Sequence, residues 1–334
     1  MDKIAKKTNK KLLAVLAVLA VAFVVLAAVP AVIDDSDADD GSPVFVGGTD
    51  SDDTTGDGTE AKPYATLKKA LEIVNDGDTI RLLDSITVTE VTTIAKAIEV
   101  CGAPDSPYHQ IELEQHLYIK GVDGTVKFKD LQFYTTPTSK KEILVESGTV
   151  EMENVKFSAS AWVEYGITLQ GSTVKGIFKN VNFNDKILGN IPRVIPVELE
   201  NCKEVRMNYY SPTDITVKIG DDLKIDRESA KETTLNFAAT GSGTITLDLN
   251  GSDYKFQNIT ERRAPALPTS GGLTVVNGTL VDTNLGIYHG DRNDRPTYYR
   301  NSIVNLGDGV VLAGKTSVEQ KPYLDPDNWD EKVV

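Results

Sequence analysis

Val126-Lys-Phe-Lys-Asp-Leu-Gln-Phe133 returns as Val150-Glu-Met-Glu-Asn-Val-Lys-Phe157 and as Gly176-Ile-Phe-Lys-Asn-Val-Asn-Phe183. A fourth copy, Val197-Glu-Leu-Glu-Asn-Cys-Lys-Glu204, loses the final Phe. The steps from Asp130 to Asn154, Asn180 and Asn201 are 24, 26 and 21 residues. A period of this size with one turn per repeat marks a solenoid, in which each unit buries its apolar face only against its neighbours. Strict alternation puts Val126 and Phe128, with their counterparts, on one face. The Asp or Asn then breaks the alternation, so Leu131, Val155, Val181 and Cys202 point inward again after a bend. Each rung leaves strand edges that the next rung satisfies at ~4.8 Å spacing. The Asp130, Asn154, Asn180 and Asn201 column is therefore expected to stack as a ladder, its amides bonding turn backbone. The Phe128/Met152/Phe178/Leu199 and Phe133/Phe157/Phe183 columns are expected in the core, not on a sugar-stacking surface.

Working outward, Pro63 to Val74 is the one amphipathic helix in the pattern, with Tyr64, Leu67, Leu71 and Val74 on one stripe. Pro63 suits a first helical turn, and Asn75-Asp76-Gly77 ends the helix. From Asp78 to Ala313 the pattern is short strands broken by Gly, Asn and Asp, with no second helix. The expected division is an export or anchor segment at 1–33, an acidic linker at 34–60, a capping helix at 61–77, strands at 78–314 and a polar tail at 315–334.

The rung phrase Phe178-Lys-Asn180-Val181-Asn-Phe183 resembles those of right-handed parallel β-helix proteins of the pectin-lyase-like kind. The flanking stretches Val44-Phe-Val-Gly-Gly-Thr-Asp50, Gly58-Thr-Glu-Ala-Lys-Pro-Tyr-Ala-Thr-Leu67 and Gly77-Asp-Thr-Ile80 are similar to the entry of secreted β-helices, where a short helix plugs the open end of the core. Ile245-Thr-Leu-Asp-Leu-Asn-Gly251 and Leu273-Thr-Val-Val-Asn-Gly-Thr-Leu280 are similar to later rungs. The whole chain resembles adhesin-like surface proteins of prokaryotes, methanogenic archaea among them. The resemblance implies an all-β, single-stranded right-handed parallel β-helix with an N-terminal capping helix. It leaves function open, because that coil hosts lyases, hydrolases, spikes and adhesins.

Charge is unevenly spread. The chain of 334 residues has a formal net charge of −14. The first eleven residues hold five Lys and one Asp, and Leu12–Ile33 is an apolar run of 22 residues. That order reads as an export signal, cleaved or retained as an anchor, so contact with a membrane is expected only through residues 12–33. From Asp34 to Glu60 there are ten acids and no Lys or Arg, which reads as a self-repelling tether. EF-hand spacing fails there, since Asp40 stands where the loop needs Gly and Val46 where it needs Glu. The acidic balance excludes nucleic acid as a partner.

Chemistry is sparser. No nucleophile elbow, phosphate loop, zinc spacing or cofactor motif is present, so no catalytic residue, metal or cofactor is assigned. Lys127, Lys129, Glu151, Glu153, Glu198 and Glu200 read as a mixed, solvated outer face. The densest polar patch runs from Tyr288 to Arg300. Its Tyr288, His289, Asp291, Arg292, Asp294, Arg295, Tyr298 and Tyr299 are the candidate binding residues, suited to a polysaccharide or the glycans of a host or neighbouring cell surface. Cys101 and Cys202 lie about four rungs apart, roughly 20 Å along the axis at ~4.8 Å per rung, too far for a disulfide. Sequons stand at Asn250, Asn258 and Asn277. The expectation is an exported, non-catalytic surface protein of adhesin-like or envelope-structural role. A polysaccharide lyase or glycoside hydrolase on the same coil is the alternative, and the oligomeric state stays open.

Overall fold

A computed structural model describes residues 41–321, apart from 103–107, 136–140, 160–164, 185, 191–193, 212, 240–242, 263–271 and 289–303. The described chain is a parallel β-solenoid whose strands form four sheets. A charged sheet of 8 strands runs from Val44–Val46 to Leu223–Ile225, and a long sheet of 10 strands from Thr92–Ile94 to Ser317–Lys321. A short early sheet of 4 strands spans Ile86–Val88 to Lys156–Ala159. The late sheet begins at Ile215–Lys218 and continues through Ile245–Tyr254 and Leu273–Val281. Val304–Leu306 and Val310–Ala313 both pair with Leu273–Val281 to end it.

The sequence repeat is the structural rung. Phe128, Met152, Phe178, Leu199 and Ile225 are in register from strand to strand, and so are Val126, Val150, Gly176, Val197 and Leu223. Phe128, Met152 and Phe178 are fully buried, as are the post-bend Leu131, Val155, Val181 and Cys202. Phe133, Phe157 and Phe183 stack with ring centroids 5.7 and 5.4 Å apart. Phe128 and Phe178 meet that stack edge-on at 5.1 and 5.3 Å. Each such ring contributes about 1.5–3 kcal/mol by leaving water, and the stacking adds to it.

Asp130, Asn154, Asn180 and Asn201 adopt left-handed backbone with φ of 54, 54, 54 and 51°. This conformation turns the chain and suits Asn and Asp, which tolerate it best among residues with a Cβ. Their side chains bond one another rather than turn backbone. The Asn154 amide donates to Asp130 at 2.9 Å, Asn180 to Asn154 at 3.1 Å and Asn201 to Asn180 at 2.7 Å. The turn backbone is satisfied separately, by bonds to the next rung such as Asn154 N–H to the Lys179 carbonyl at 3.0 Å. The column ends on Asp226, whose carboxylate accepts from the Asn201 backbone N–H and caps a short helix.

Four further sequence expectations need correction. The acidic stretch is folded from Val44 onward: Val44–Val46 pairs with Thr79–Leu82, and its other edge is closed by Gly58 and Tyr64. The acids there do not simply repel, because backbone N–H groups take them up. Asp52 accepts from Thr54 and Thr55, both at 2.7 Å, and those bonds hold its carboxyl below the usual range. Asp53 accepts from Ala65 and Thr66 at 2.8 and 3.0 Å. The helix α1 is accordingly shorter than expected, Leu67–Ile73, because Thr66 is extended and caps it through Lys69 N–H. Leu67 and Ala70 face the core. A second helix, α2 (Arg227–Lys231), is too short for an apolar stripe to reveal it. Finally, Ser317–Lys321 is a strand of the long sheet rather than tail.

Both cysteines are buried free thiols. Cys202 sits in the core column, where burial pushes its thiol up to about 12. Cys101 falls on the outward column between Arg81 and Lys129. Burial raises its thiol too, with the Arg81 guanidinium opposing. A protonated, buried thiol is a poor nucleophile. Alkylating reagent at mildly alkaline pH should leave Cys202 unlabelled in the folded protein and label it after denaturation; fast native labelling would contradict the placement. Replacing Asn154 by Leu should cost about 2–4 kcal/mol, from left-handed strain and two lost ladder bonds. Asn154→Gly keeps the turn and should cost less; thermal unfolding in which both variants match the parent would remove the ladder from the account.

Candidate functional site

Outside the core, the charged sheet carries two outward columns. One holds Glu99, Lys127, Glu151, Ile177, Glu198 and Lys224 in register; the other holds Arg81, Cys101, Lys129, Glu153, Lys179 and Glu200. The charges pair between rungs. Lys127 lies 3.3 Å from Glu153, 3.9 Å from Glu99 and 4.0 Å from Glu151. Lys179 reaches Glu151 at 3.3 Å, and Glu198 is held by Lys175 at 2.7 Å and Lys224 at 3.0 Å. These partners hold the Glu198 carboxyl below its ordinary range. Partial burial raises Glu153, but Lys127 and Lys129 outweigh it and the net shift is downward.

Ile177 interrupts the first column. Around it opens a cleft of about 340 Å3 lined by Ile177, Lys179, Glu198, Glu200, Lys224 and Tyr254, among others. Tyr254 is also in the wall of an adjoining lobe of about 280 Å3 with Arg227, Lys231, Asp253, Lys255 and Val281. The tyrosine is there because the charged sheet stops at Leu223–Ile225. One rung later, Ser252–Tyr254 pairs with Gly278–Leu280 in the late sheet instead. Its ring stacks on fully buried Phe256 at 5.6 Å, which fixes its orientation. Burial pushes the Tyr254 hydroxyl up, with the Arg227 charge opposing. Lys231 pairs with Glu228 at 2.6 Å and Lys255 with Asp282 at 3.3 Å. Among the described residues Arg227 makes no ion pair. The cleft and its adjoining lobe thus offer Tyr254 as an aromatic wall, Ile177 among the apolar lining, hydrogen-bonding charges along the sides and, in the lobe, the Arg227 guanidinium.

One carboxyl shifts the other way. Burial raises Glu142, while the Thr168 hydroxyl that donates to it, at 2.5 Å, and His116 oppose that rise. It borders the Ile143–Val145 strand of the long sheet and does not line the cleft.

Of the sequence-derived binding residues, Tyr288 ends the Asn284–Tyr288 strand, in register with Arg262 and Lys321. His289, Asp291, Arg292, Asp294, Arg295, Tyr298 and Tyr299 lie outside the described residues. The sequons at Asn250 and Asn277 fall on exposed left-handed bends inside the Ile245–Tyr254 and Leu273–Val281 strands, φ 53 and 57°, whereas Asn258 begins a strand. Sequence reading missed the Tyr254 cleft. Its one signal was Ile177, apolar where the aligned copies have Lys127, Glu151 and Glu198.

Among the described residues no three His, Cys, Asp or Glu side chains are grouped to hold a metal ion. No described helix is long and apolar enough to cross a membrane. Comparison with protein-family models, curated proteins and solved structures finds no match to the chain.

The sign of the acid response follows from the ion pairs. Glu198 has a lowered folded-state pKa, so its contribution is present above the unfolded carboxylate value and is lost as pH falls through the folded one. Glu198→Gln should therefore shrink the gap in unfolding temperature between neutral and acidic buffer; an unchanged gap would show that the lysines do not hold this carboxylate.

Proposed function

We propose that this protein is an exported surface module whose solenoid binds a glycan or a neighbouring surface component without transforming it. The observation that carries the reading is the Tyr254 cleft, where a fixed aromatic face and Ile177 sit among charged hydrogen-bonding groups. Saccharides are recognised by that combination, with apolar C–H faces against a ring and hydroxyls against polar side chains. Glu198, a carboxylate beside it, is poorly suited to donate a proton. A general acid works with a raised pKa, and Glu198 is pulled down by Lys175 and Lys224.

The rest of the chain fits this role. Lys3 to Lys11 followed by Leu12–Ile33 has the pattern of an export signal or anchor. Helix α1, with Leu67 and Ala70 turned to the core, serves as the plug at the N-terminal end. Kinship with the pectin-lyase-like coil and with adhesin-like surface proteins belongs to the same proposal, resting on the rung and entry motifs.

Probing a glycan array with the full-length protein, followed by product analysis on each ligand bound, tests the reading. Binding without products is expected, and Tyr254→Ala should weaken it about tenfold, the worth of one stacked ring. Release of reducing or unsaturated ends would replace it with the polysaccharide lyase or hydrolase alternative. Absence of binding in a protein that fractionates with the envelope would leave a spacer role.

A further inference from the structure

The core of the solenoid is left open at its last described rung. Leu247, Val275 and Leu306 form one inward column, and Tyr254, Leu280 and Leu312 another. Val275 and Leu280 are fully buried, yet Leu306 is 46% and Leu312 39% exposed, and outward-facing Val311 is 55% exposed. One edge of the Val310–Ala313 strand pairs with Leu273–Val281. Among the described residues nothing pairs with its other edge. The opposite end of the coil differs, since the free edge of Val44–Val46 is closed by bonds to Gly58 and Tyr64. An apolar strand with an open edge is a template for a further strand.

We infer that the occupant is a second copy of this chain, docked end to end through Val310–Ala313 across a two-fold axis. The strand is complementary to itself. A two-fold axis normal to a sheet keeps every side chain on its own face, so an antiparallel strand must meet its copy about a residue. Centred on Val311, the outward Val311 meets Val311 of the second copy, and the inward Val310 meets Leu312 of the second copy. The exposed core columns of the two coils then close against each other. Beyond the strand, Gly309 and Gly314 are left-handed, φ 72 and 66°, and turn the chain at each end. Asp308 precedes the first and Lys315 follows the second. Neither side chain forms an ion pair among the described residues; the Lys315 backbone N–H donates to Asp282 at 2.8 Å, and its charge acts on that carboxylate without a direct pair. Antiparallel docking brings Asp308 of each copy to the Lys315 end of the other, so opposite charges meet twice. Because the N-terminal edge is already closed, the contact uses the same surface on both copies and stops at two. It does not depend on which ligand the Tyr254 cleft takes.

Cysteine cross-linking on the full-length chain tests this, since Cys101 and Cys202 are buried. Val311→Cys should give a dimer on mild oxidation that reducing agent reverses, with circular dichroism confirming the fold. Val91→Cys, 58% exposed near the other end of the coil, should give far less. Adding Asp308→Lys to Val311→Cys should cut the yield about tenfold, and adding Lys315→Asp as well should restore it. Absence of the Val311→Cys dimer, equal yield at position 91, or failure of the charge swap to restore cross-linking would each overturn the inference.

Discussion

Everything in this molecule depends on one requirement: the backbone edge of each short strand must be met by the strand one rung away. Parallel pairing fixes that register residue by residue, so a side chain at one position stacks on its counterpart in the next rung. The inward consequence is a set of continuous columns, Phe128 on Met152 on Phe178, with the Phe133–Phe157–Phe183 stack beside them. At the corner it is the Asp130–Asn154–Asn180–Asn201 ladder, where identical chemistry repeats because identical geometry does. On the outer face it places Lys127 among Glu99, Glu151 and Glu153, and Glu198 between Lys175 and Lys224. Half-exposed ion pairs of this kind are individually worth little, but in fixed register they hold the Glu153 and Glu198 carboxyls below their ordinary range.

The same requirement explains where the pattern fails. The charged sheet ends at Leu223–Ile225, the Asn column passes to Asp226, and α2 follows at once. The next rung has joined the late sheet, and Tyr254 stands at the seam. A cleft forms where a periodic surface is interrupted, by Ile177 within a column and by the change of sheet beside it. At the last described rung Leu306 and Leu312 stand partly exposed, because no further described strand pairs beyond them.

The core was legible because strict alternation and a period near two dozen residues repeat the same residue types in the same order. The ladder positions were legible for the same reason, although the partner of each amide was not: bonding to a neighbouring amide and bonding to turn backbone need the same residue. The acidic entry misled because Asp serves both as a repelling charge and as an acceptor for turn N–H groups, and only the fold shows Asp52 and Asp53 doing the second. Helix α2 spans little more than one turn, below the length at which an apolar stripe appears. Tyr254 was beyond reach, since its role depends on a change of sheet partner that no local pattern marks.

Hydrogen exchange resolved along the chain tests the central claim most directly, because register pairing protects amides rung by rung. The account predicts strong protection through Thr125–Lys129, Thr149–Glu153, Lys175–Lys179 and Val197–Glu200, including the turn amides of Asn154 and Asn180. Fast exchange in those four strands, or protection of the strands with unprotected Asn154 and Asn180 amides, would contradict it.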